Sequence, residues 1–266
     1  MQLTSAKNPL LQRVRRAATS GRPTEDGLIV AEGPHLVEEA LRSDWRIEQL
    51  FATPAARDRH ADLVSRADAE LVEVSARAFA GISTTETSQE VLALVRPKMW
   101  SWNDLAGPSA LIIVLDALQD PGNAGTIFRS AEAFGATGVI LLKGSAHVAN
   151  GKFLRATVGS IFRMPFLEAW QPGELLAHAR EDGIRLYALS QSADSDLAQT
   201  DLCPPCALII GSEGRGLTPE LANHVRQISI PTAKVESLNA AVACSIALFE
   251  AGRQRTRNQH SPHEPL

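Results

Sequence analysis

Cysteine is scarce in this chain of 266 residues, which contains Cys203, Cys206 and Cys244 and no others. Three cysteines are too few for the disulfide framework of a small secreted protein, so we expect a reducing compartment. Cys203 and Cys206 have CxxC spacing, but no second pair and no nearby histidine completes four zinc ligands. We therefore expect no metal, and we interpret the pair as a turn that leads into a strand.

Long hydrophobic runs are absent as well. No apolar stretch reaches the roughly 18 to 20 residues that a membrane helix needs. The first twenty residues carry basic side chains with no apolar segment behind them, unlike a secretory leader. The sequence therefore predicts a cytoplasmic protein with no membrane partner.

The chain also lacks the strong positive charge of a protein that coats nucleic acid, because its formal net charge is −4. The charge is unevenly distributed, however, and residues 1–23 contain five lysines or arginines and no acid. This stretch is a candidate phosphate-contacting surface. A solvated helix face would account for the same pattern equally well.

Strand-like and helix-like segments alternate along most of the chain. Residues 1–96 predict a small α/β domain, and residues 97–109, punctuated by prolines and a glycine, predict a linker. In residues 110–257, short apolar strands are separated by helices, which is typical of a mostly parallel sheet covered on both faces. The polar segment 258–266 is expected to be disordered.

Ligands of such sheets bind beyond the carboxyl ends of the strands, so the loops that follow strands are the first candidates for a site. The first such loop, residues 119–126, is expected to be a glycine-rich turn before a helix that carries Arg129. Gly122 and Gly125 would let the backbone approach an anion. A dinucleotide site competes weakly, because the spacing is GxxG and no acid ends the next strand.

Two further loops follow later strands. Residues 211–217 contain three glycines, and residues 230–239 lead into the last long helix. Ser237 is expected to be the N-cap of that helix. Asn239 would then lie in the first turn, where asparagine is a poor helix former, which hints at another role. Taken singly, these loops are equally well explained as turns, caps and packing positions.

Together the three loops resemble a known family. PGNAGTIFR at 121–129, IIGSEGRGL at 209–217 and IPTAKVESLNAAVA at 230–243 look like the three signature motifs of SpoU/TrmH ribose methyltransferases of the SPOUT superfamily. SAKNPLLQRVRR at 5–16 and VAEGPHLVEEAL at 30–41 are similar to the substrate-binding domain that many members carry. One departure is the segment Thr232 to Glu236, which is one residue shorter than in many members.

The resemblance implies a fold that periodicity would not predict, because knots are nearly absent from ordinary topologies. It implies a catalytic domain with a deep trefoil knot, preceded by a smaller α/β RNA-binding domain. It also implies an obligate homodimer whose interface uses the first and last helices of the catalytic domain, with both protomers building each active site.

The function implied is S-adenosylmethionine-dependent 2′-O-ribose methylation of RNA. The N-terminal domain favours 23S ribosomal RNA as the substrate. A tRNA 2′-O-methyltransferase, and a non-catalytic RNA-binding or ribosome-assembly protein with the same fold, are the alternatives. The missing dinucleotide fingerprint argues against an oxidoreductase.

The resemblance also assigns residues to roles. Arg129 would polarise or deprotonate the 2′-hydroxyl, and orienting the substrate is the less costly of its possible roles, because a guanidinium stays protonated at neutral pH. The expected catalytic residues are Asn123, Arg129, Glu213, Ser237 and Asn239. The expected cofactor-binding residues are Leu189, Ser190, Gly211, Gly214, Ile230 and Leu238. The expected RNA-binding residues are Lys7, Arg13, Arg16, Arg22, Lys152 and Arg155.

Overall fold

The computed structural model describes residues 2–191, 193–212 and 214–260. The strands are β1 Gln2–Leu3, β2 Ile29–Glu32, β3 Arg46–Ala52, β4 Glu70–Val74, β5 Val91–Arg96, β6 Leu111–Leu115, β7 Gly138–Leu142, β8 Phe166–Trp170, β9 Arg185–Leu189, β10 Cys206–Ile210 and β11 Arg226–Ile228. The α-helices are α1 Pro9–Ser20, α2 Pro34–Leu41, α3 Pro54–Arg59, α4 Ala61–Arg66, α5 Ala76–Ala80, α6 Trp102–Leu105, α7 Pro121–Ala133, α8 Gly151–Thr157, α9 Pro172–Glu181, α10 Pro219–Ala222 and α11 Ala240–His260.

The chain divides into two compact units. The first unit consists of Met1–Met99 and His147–Arg163, and the second of Trp100–Ala146 and Met164–Leu266. Helix α8 therefore belongs to the first unit, whereas the sequence assigns it to the catalytic domain. Helix α11 includes the first three residues of the segment 258–266 for which we expect disorder, and residues 261–266 lie outside the described part.

The first unit contains a mixed five-stranded sheet in the order β1-β4-β3-β5-β2. Strands β1, β4 and β3 are parallel, and β5 is antiparallel to both of its neighbours. Helix α1 packs its apolar stripe of Leu11, Val14 and Ala17 into the core of this unit, together with Phe51 and Phe79. The spacing of three residues between the members of the stripe places them on one helix face.

The second unit contains a six-stranded sheet in the order β11-β9-β10-β6-β7-β8, and every pair in it is parallel. All residues of β6, β7 and β10 are buried. Continuous apolar strands of this kind are covered by helices on both faces. The predicted parallel α/β sheet is confirmed, and the trefoil knot stays a prediction.

Helix α7 begins at Pro121, five residues before Thr126, where the sequence predicts that the helix begins. Asp120 is its N-cap and accepts a hydrogen bond of 2.7 Å from the backbone N–H of Asn123, and Pro121 occupies the first helical position. The expected glycine-rich turn at 119–126 is therefore wrong in its extent, because Gly122 and Gly125 are already helical. The N-cap at Asp120 and the proline at the first helical position favour the helix more than the two glycines disfavour it.

A short helix also interrupts the predicted linker. Helix α6 begins after Ser101, whose backbone and side chain both donate to Asp104 over 2.7 Å, a capping box. Trp102 is buried in this helix and stacks on Trp170 at a centroid distance of 5.6 Å. Within the part of the chain that is described, no helix combines the length and apolar character needed to cross a membrane.

Arg255 fastens the last helix to the amino-terminal ends of β6 and β10. Its guanidinium donates hydrogen bonds to four backbone carbonyls, and all four acceptors precede the strands: Ser109 at 2.7 Å, Ala110 at 2.9 Å, Leu202 at 2.9 Å and Pro204 at 3.0 Å. The planar guanidinium carries N–H donors on three nitrogen atoms, so it can bind four carbonyl oxygens that lie in different directions.

We expect Arg255→Met to lower the free energy of unfolding of the second unit by about 3 kcal/mol, because charge-assisted hydrogen bonds are lost and carbonyls are left without donors. Arg255→Lys should recover part of this loss, since an ammonium cannot reach all four oxygens. Calorimetric melting curves measure both changes. Arg257→Met, an exposed arginine on the same helix, is the control, and equal melting temperatures for the Arg255 and Arg257 variants would contradict the account.

Candidate functional site

Three adjacent strands, β11, β9 and β10, end at one edge of the second sheet, and the segments that follow them enclose a cleft. The cleft has a volume of about 740 Å³, which is within the range of small-molecule sites. Its lining includes Leu189 at the end of β9, Ser190 and Gln191 after β9, Gly211, Ser212, Gly214, Gly216 and Leu217 after β10, and Ile230, Thr232, Ser237, Leu238 and Asn239 after β11.

The segment after β10 is a closed loop. Ser212 and Gly216 exchange two backbone hydrogen bonds of 3.0 Å, so the loop folds back on itself. A Cβ atom on Gly211 would lie 2.7 Å from the carbonyl carbon and oxygen of Gly216, and Gly216 has a φ of +65°. Both positions therefore favour glycine. Glu213, an expected catalytic residue, lies outside the described residues.

The segment after β11 is largely exposed and begins with a turn in which the hydroxyl of Thr232 donates to the carbonyl of Val235 over 2.7 Å. The expected N-cap at Ser237 is wrong. Asn239 caps α11, because its Oδ1 accepts from the backbone N–H of Ala241 at 2.9 Å and of Val242 at 3.3 Å. Ser237 is exposed and lines the cleft three residues before the first residue of the helix.

Capping fixes the direction of the Asn239 amide. Since Oδ1 faces the helix N-terminus, Nδ2 is turned away and donates to Oδ1 of Asn123 over 3.0 Å. This bond joins the first turn of α7 to the start of α11. It brings an expected catalytic residue on the first motif to one on the third, although Asn123 itself does not line the cleft.

All six residues expected to bind the cofactor lie in this one cleft, as do Ser237 and Asn239. Sequence reasoning missed several further lining residues, among them the two glutamines Gln191 and Gln227. Gln191 directly follows Ser190, an expected cofactor-binding residue, so its place in the sequence could have predicted that it lines the cleft. Gln227 lies within β11, a strand of only three residues, which is too short for an alternating pattern to indicate the face that Gln227 occupies.

The cleft is electrically neutral as far as its described lining goes. None of those side chains is charged, and the polar ones are hydroxyls and amides of serine, threonine, glutamine and asparagine. Such a lining offers hydrogen bonds without a fixed counter-charge. Such a cleft suits a ligand that carries both positive and negative groups better than it suits a simple anion.

Arg129 lies outside the cleft. It is exposed on α7 and is not part of the cleft lining. It follows Thr126 by three residues, so the two share one helix face. Thr126 lines a second, shallower groove between α7 and α11, together with Val242, Ile246 and Phe249. Arg129 thus borders that groove rather than the cleft.

This groove is apolar and open to solvent. Val242, Ile246 and Phe249 remain 48%, 38% and 56% exposed. Their spacing of four and three residues forms a continuous stripe on α11. Asn123 and Asn239 line the same groove, so it adjoins the cleft at their hydrogen bond. An apolar stripe of this kind is typical of a surface that is covered by a partner.

The cysteines offer no activated thiol in the cleft. Cys244 is fully buried in α11, and burial raises the pKa of its thiol. Burial also raises the pKa of the Cys206 thiol at the start of β10. Among the described residues, no group of three or more histidine, cysteine, aspartate or glutamate side chains is placed to hold a metal ion.

All six residues expected to bind RNA belong to the first unit. The end of α1 meets the start of α8, since a Cβ on Gly21 would lie 3.0 Å from Nδ2 of Asn150. Arg13 and Arg16 have acidic neighbours, because Arg13 pairs with Asp26 and Arg16 lies 3.9 Å from Glu25. The other four, all exposed, are Lys7, Arg22, Lys152 and Arg155.

Comparison with known proteins agrees with this geometry. Residues 8–93 match the model of an MRM3-like substrate binding domain. The chain is 30% identical to the 23S rRNA (guanosine(2553)-2′-O)-methyltransferase RlmP of Bacillus subtilis over 93% of this chain and 98% of the relative. It is 33% identical to an uncharacterised tRNA/rRNA methyltransferase of Synechocystis, slr1673, over 95% and 94%.

Solved structures give the same result. The SpoU methyltransferase AviRb of Streptomyces viridochromogenes in complex with the cofactor AdoMet superposes with a TM-score of 0.85, at 26% identity over 94% of this chain and 99% of that one. The AdoMet-bound rRNA methyltransferase of Sinorhizobium meliloti gives 0.83, at 29% identity over 95% and 97%. Residues 110–249 match the SpoU rRNA methylase model, and the chain therefore belongs to the SpoU rRNA methylase family.

Proposed function

We propose that this protein transfers a methyl group from S-adenosylmethionine to a ribose 2′-hydroxyl of 23S ribosomal RNA. The observation that carries the proposal is the neutral cleft in which all six expected cofactor residues converge. The relative RlmP is named for this reaction on 23S rRNA. Because ribosomal RNA is the substrate, the cytoplasm is where we propose that the protein works.

The residues of the cleft fit the cofactor. S-adenosylmethionine carries a sulfonium cation, an ammonium and a carboxylate, and a lining without charged side chains neither traps nor repels such a molecule. Backbone groups of the loop after β10 are open to the adenosyl portion, because glycines leave them uncovered. Ser190, Ser237 and Asn239 would supply hydrogen bonds to its polar groups.

When bound, S-adenosylmethionine supplies an electrophilic methyl group. The task of the protein is to hold the ribose oxygen in line with that group. Asn239 is suited to positioning, since its amide is fixed at both ends by the helix cap and by Asn123. A neutral amide can donate to the ribose without binding the sulfonium.

Arg129 is the residue that we assign to the 2′-hydroxyl. A guanidinium beside the oxygen stabilises the negative charge that develops as the proton leaves to solvent. It can also hold the neighbouring phosphate through paired N–H groups. Arg129 is exposed at the border of the apolar groove, so it is available to an RNA chain.

We expect Arg129→Ala to lower the rate of methyl transfer by about 10²- to 10³-fold, the usual cost of removing one donor to a developing oxyanion. Arg129→Lys should retain part of the rate, because it keeps the charge and loses the fork of donors. The assay incubates protein with radiolabelled S-adenosylmethionine and unmodified 23S rRNA, with tRNA as the competing substrate.

The control for this assay is Arg180→Ala, an exposed arginine on α9 outside the cleft lining, which should keep the wild-type rate. An Arg129→Ala rate equal to that of Arg180→Ala would remove Arg129 from the mechanism. Label that enters tRNA rather than 23S rRNA would contradict 23S rRNA as the substrate and support the alternative, a tRNA 2′-O-methyltransferase.

We also propose that two copies of the chain pair through the apolar groove between α7 and α11. The stripe of Val242, Ile246 and Phe249 is exposed and apolar, and the groove adjoins the cleft at Asn239, which lines both. A second copy on this groove would carry its own Arg129 to the border of this cleft. Each active site would then combine the cleft of one protomer with the arginine of the other.

Co-expression of two differently tagged variants tests this arrangement. Arg129→Ala removes the arginine, and Gly211→Ala distorts the cleft, because its Cβ would lie 2.7 Å from the backbone of Gly216 and the loop would have to shift. Random pairing makes half of the dimers mixed, and each mixed dimer has one intact site. We expect the mixture to recover about one quarter of the wild-type activity. A mixture no more active than either single variant would contradict shared sites.

The first unit supplies the proposed contact with RNA. Lys7, Arg22, Lys152 and Arg155 are exposed in this unit. Folded RNA is recognised largely by shape and through its phosphates, so exposed cations are adequate for the task. Arg13 and Arg16, which face Asp26 and Glu25, contribute less than the sequence suggests.

A further inference from the structure

Asp116 is a completely buried carboxylate that the sequence analysis did not single out. It directly follows β6, whose last residue pairs with Ile210, the last residue of β10. A buried carboxylate is costly unless hydrogen bonds compensate for the loss of water. Its presence at the carboxyl edge of the sheet therefore calls for a role beyond filling the core.

The contacts of Asp116 reach both ends of the closed loop after β10. Its backbone N–H donates to the carbonyl of Ile210 over 2.9 Å, where the loop begins. Its Oδ2 accepts from the backbone N–H of Thr218 over 2.6 Å, where the loop ends. Asp116, directly after the neighbouring strand β6, thus binds both residues that flank the loop, Ile210 and Thr218.

The remaining polar atoms of this pair are also buried. Within the described residues, Oδ1 of Asp116 and the hydroxyl oxygen of Thr218 have no hydrogen-bond partner. Both atoms belong to residues that are already joined by the hydrogen bond between the Thr218 N–H and Oδ2 of Asp116. Thr218 precedes α10 without capping it through a side-chain hydrogen bond.

We propose that Asp116 is a positioning residue that sets the shape of the cofactor cleft by clamping the loop at residues 211–217. The proposal rests on the proposed function, since it takes the cleft as the S-adenosylmethionine site. The loop supplies five lining residues, so a shift at Thr218 moves a large part of one wall of the cleft. Asp116 itself does not line the cleft.

The clamp depends on an acceptor for the Thr218 N–H and not on negative charge. Asp116→Ala removes the acceptor, and we expect the dissociation constant of S-adenosylmethionine and its KM to rise about tenfold, equivalent to about 1.4 kcal/mol. The kcat at saturating cofactor should change much less. Asp116→Asn retains a carbonyl oxygen in the same place, so binding should stay within about threefold of wild type.

Isothermal titration of the full-length protein with S-adenosylmethionine alone, together with steady-state kinetics on 23S rRNA, measures these quantities. Arg255→Met is the matched control, because it destabilises the same two strands at their opposite ends. It should lower the melting temperature and leave cofactor affinity unchanged. Circular dichroism below the melting temperature of each variant shows that the titrated protein is folded.

Wild-type affinity in Asp116→Ala, or a loss in Asp116→Asn as large as in Asp116→Ala, would overturn the clamp. An equal loss of affinity in Arg255→Met would also overturn it, since the effect would then follow from stability alone. Failure of the wild-type protein to bind S-adenosylmethionine would instead contradict the proposed function, so the two failures are distinguishable.

Discussion

The parallel direction of all six strands in the second sheet is the constraint on which the cleft depends. Because the strands run the same way, each following segment leaves the sheet at the same edge. The segments after β9, β10 and β11 therefore meet, although they are far apart in the sequence. The buried central strands β6 and β10 fix this edge, and a single antiparallel strand would place its loop at the opposite end.

Strands β6 and β10 are adjoined by a different hydrogen-bonding residue at each end. At the amino-terminal ends, Arg255 binds carbonyls that precede β6 and β10 and fastens the last helix. At the carboxyl ends, Asp116 binds the residues that flank the loop after β10. The Arg255 contacts and the Asp116 contacts are separated by the five residues of each strand, a distance of about 16 Å. Because of this distance, we expect substitutions at the two ends to affect stability and cofactor affinity independently.

Much of this architecture could be predicted from the sequence, because the signals are local. Continuous apolar strands indicated the parallel sheet, and glycines after β10 indicated a tight loop. Other features depend on contacts between distant segments. Asn239 rather than Ser237 caps α11 because its amide also meets Asn123, more than a hundred residues earlier. The burial of Asp116 and the placement of α8 in the first unit are likewise products of tertiary packing.

The position of the transferred methyl group tests the assigned chemistry most directly. Alkali cleaves RNA through attack by the 2′-hydroxyl, so a nucleotide methylated at this oxygen survives as part of an alkali-stable dinucleotide. We predict that 23S rRNA labelled by this protein with radioactive S-adenosylmethionine yields its label in one such dinucleotide after complete alkaline hydrolysis. Label recovered in mononucleotides would place the methyl group on a base and contradict ribose methylation.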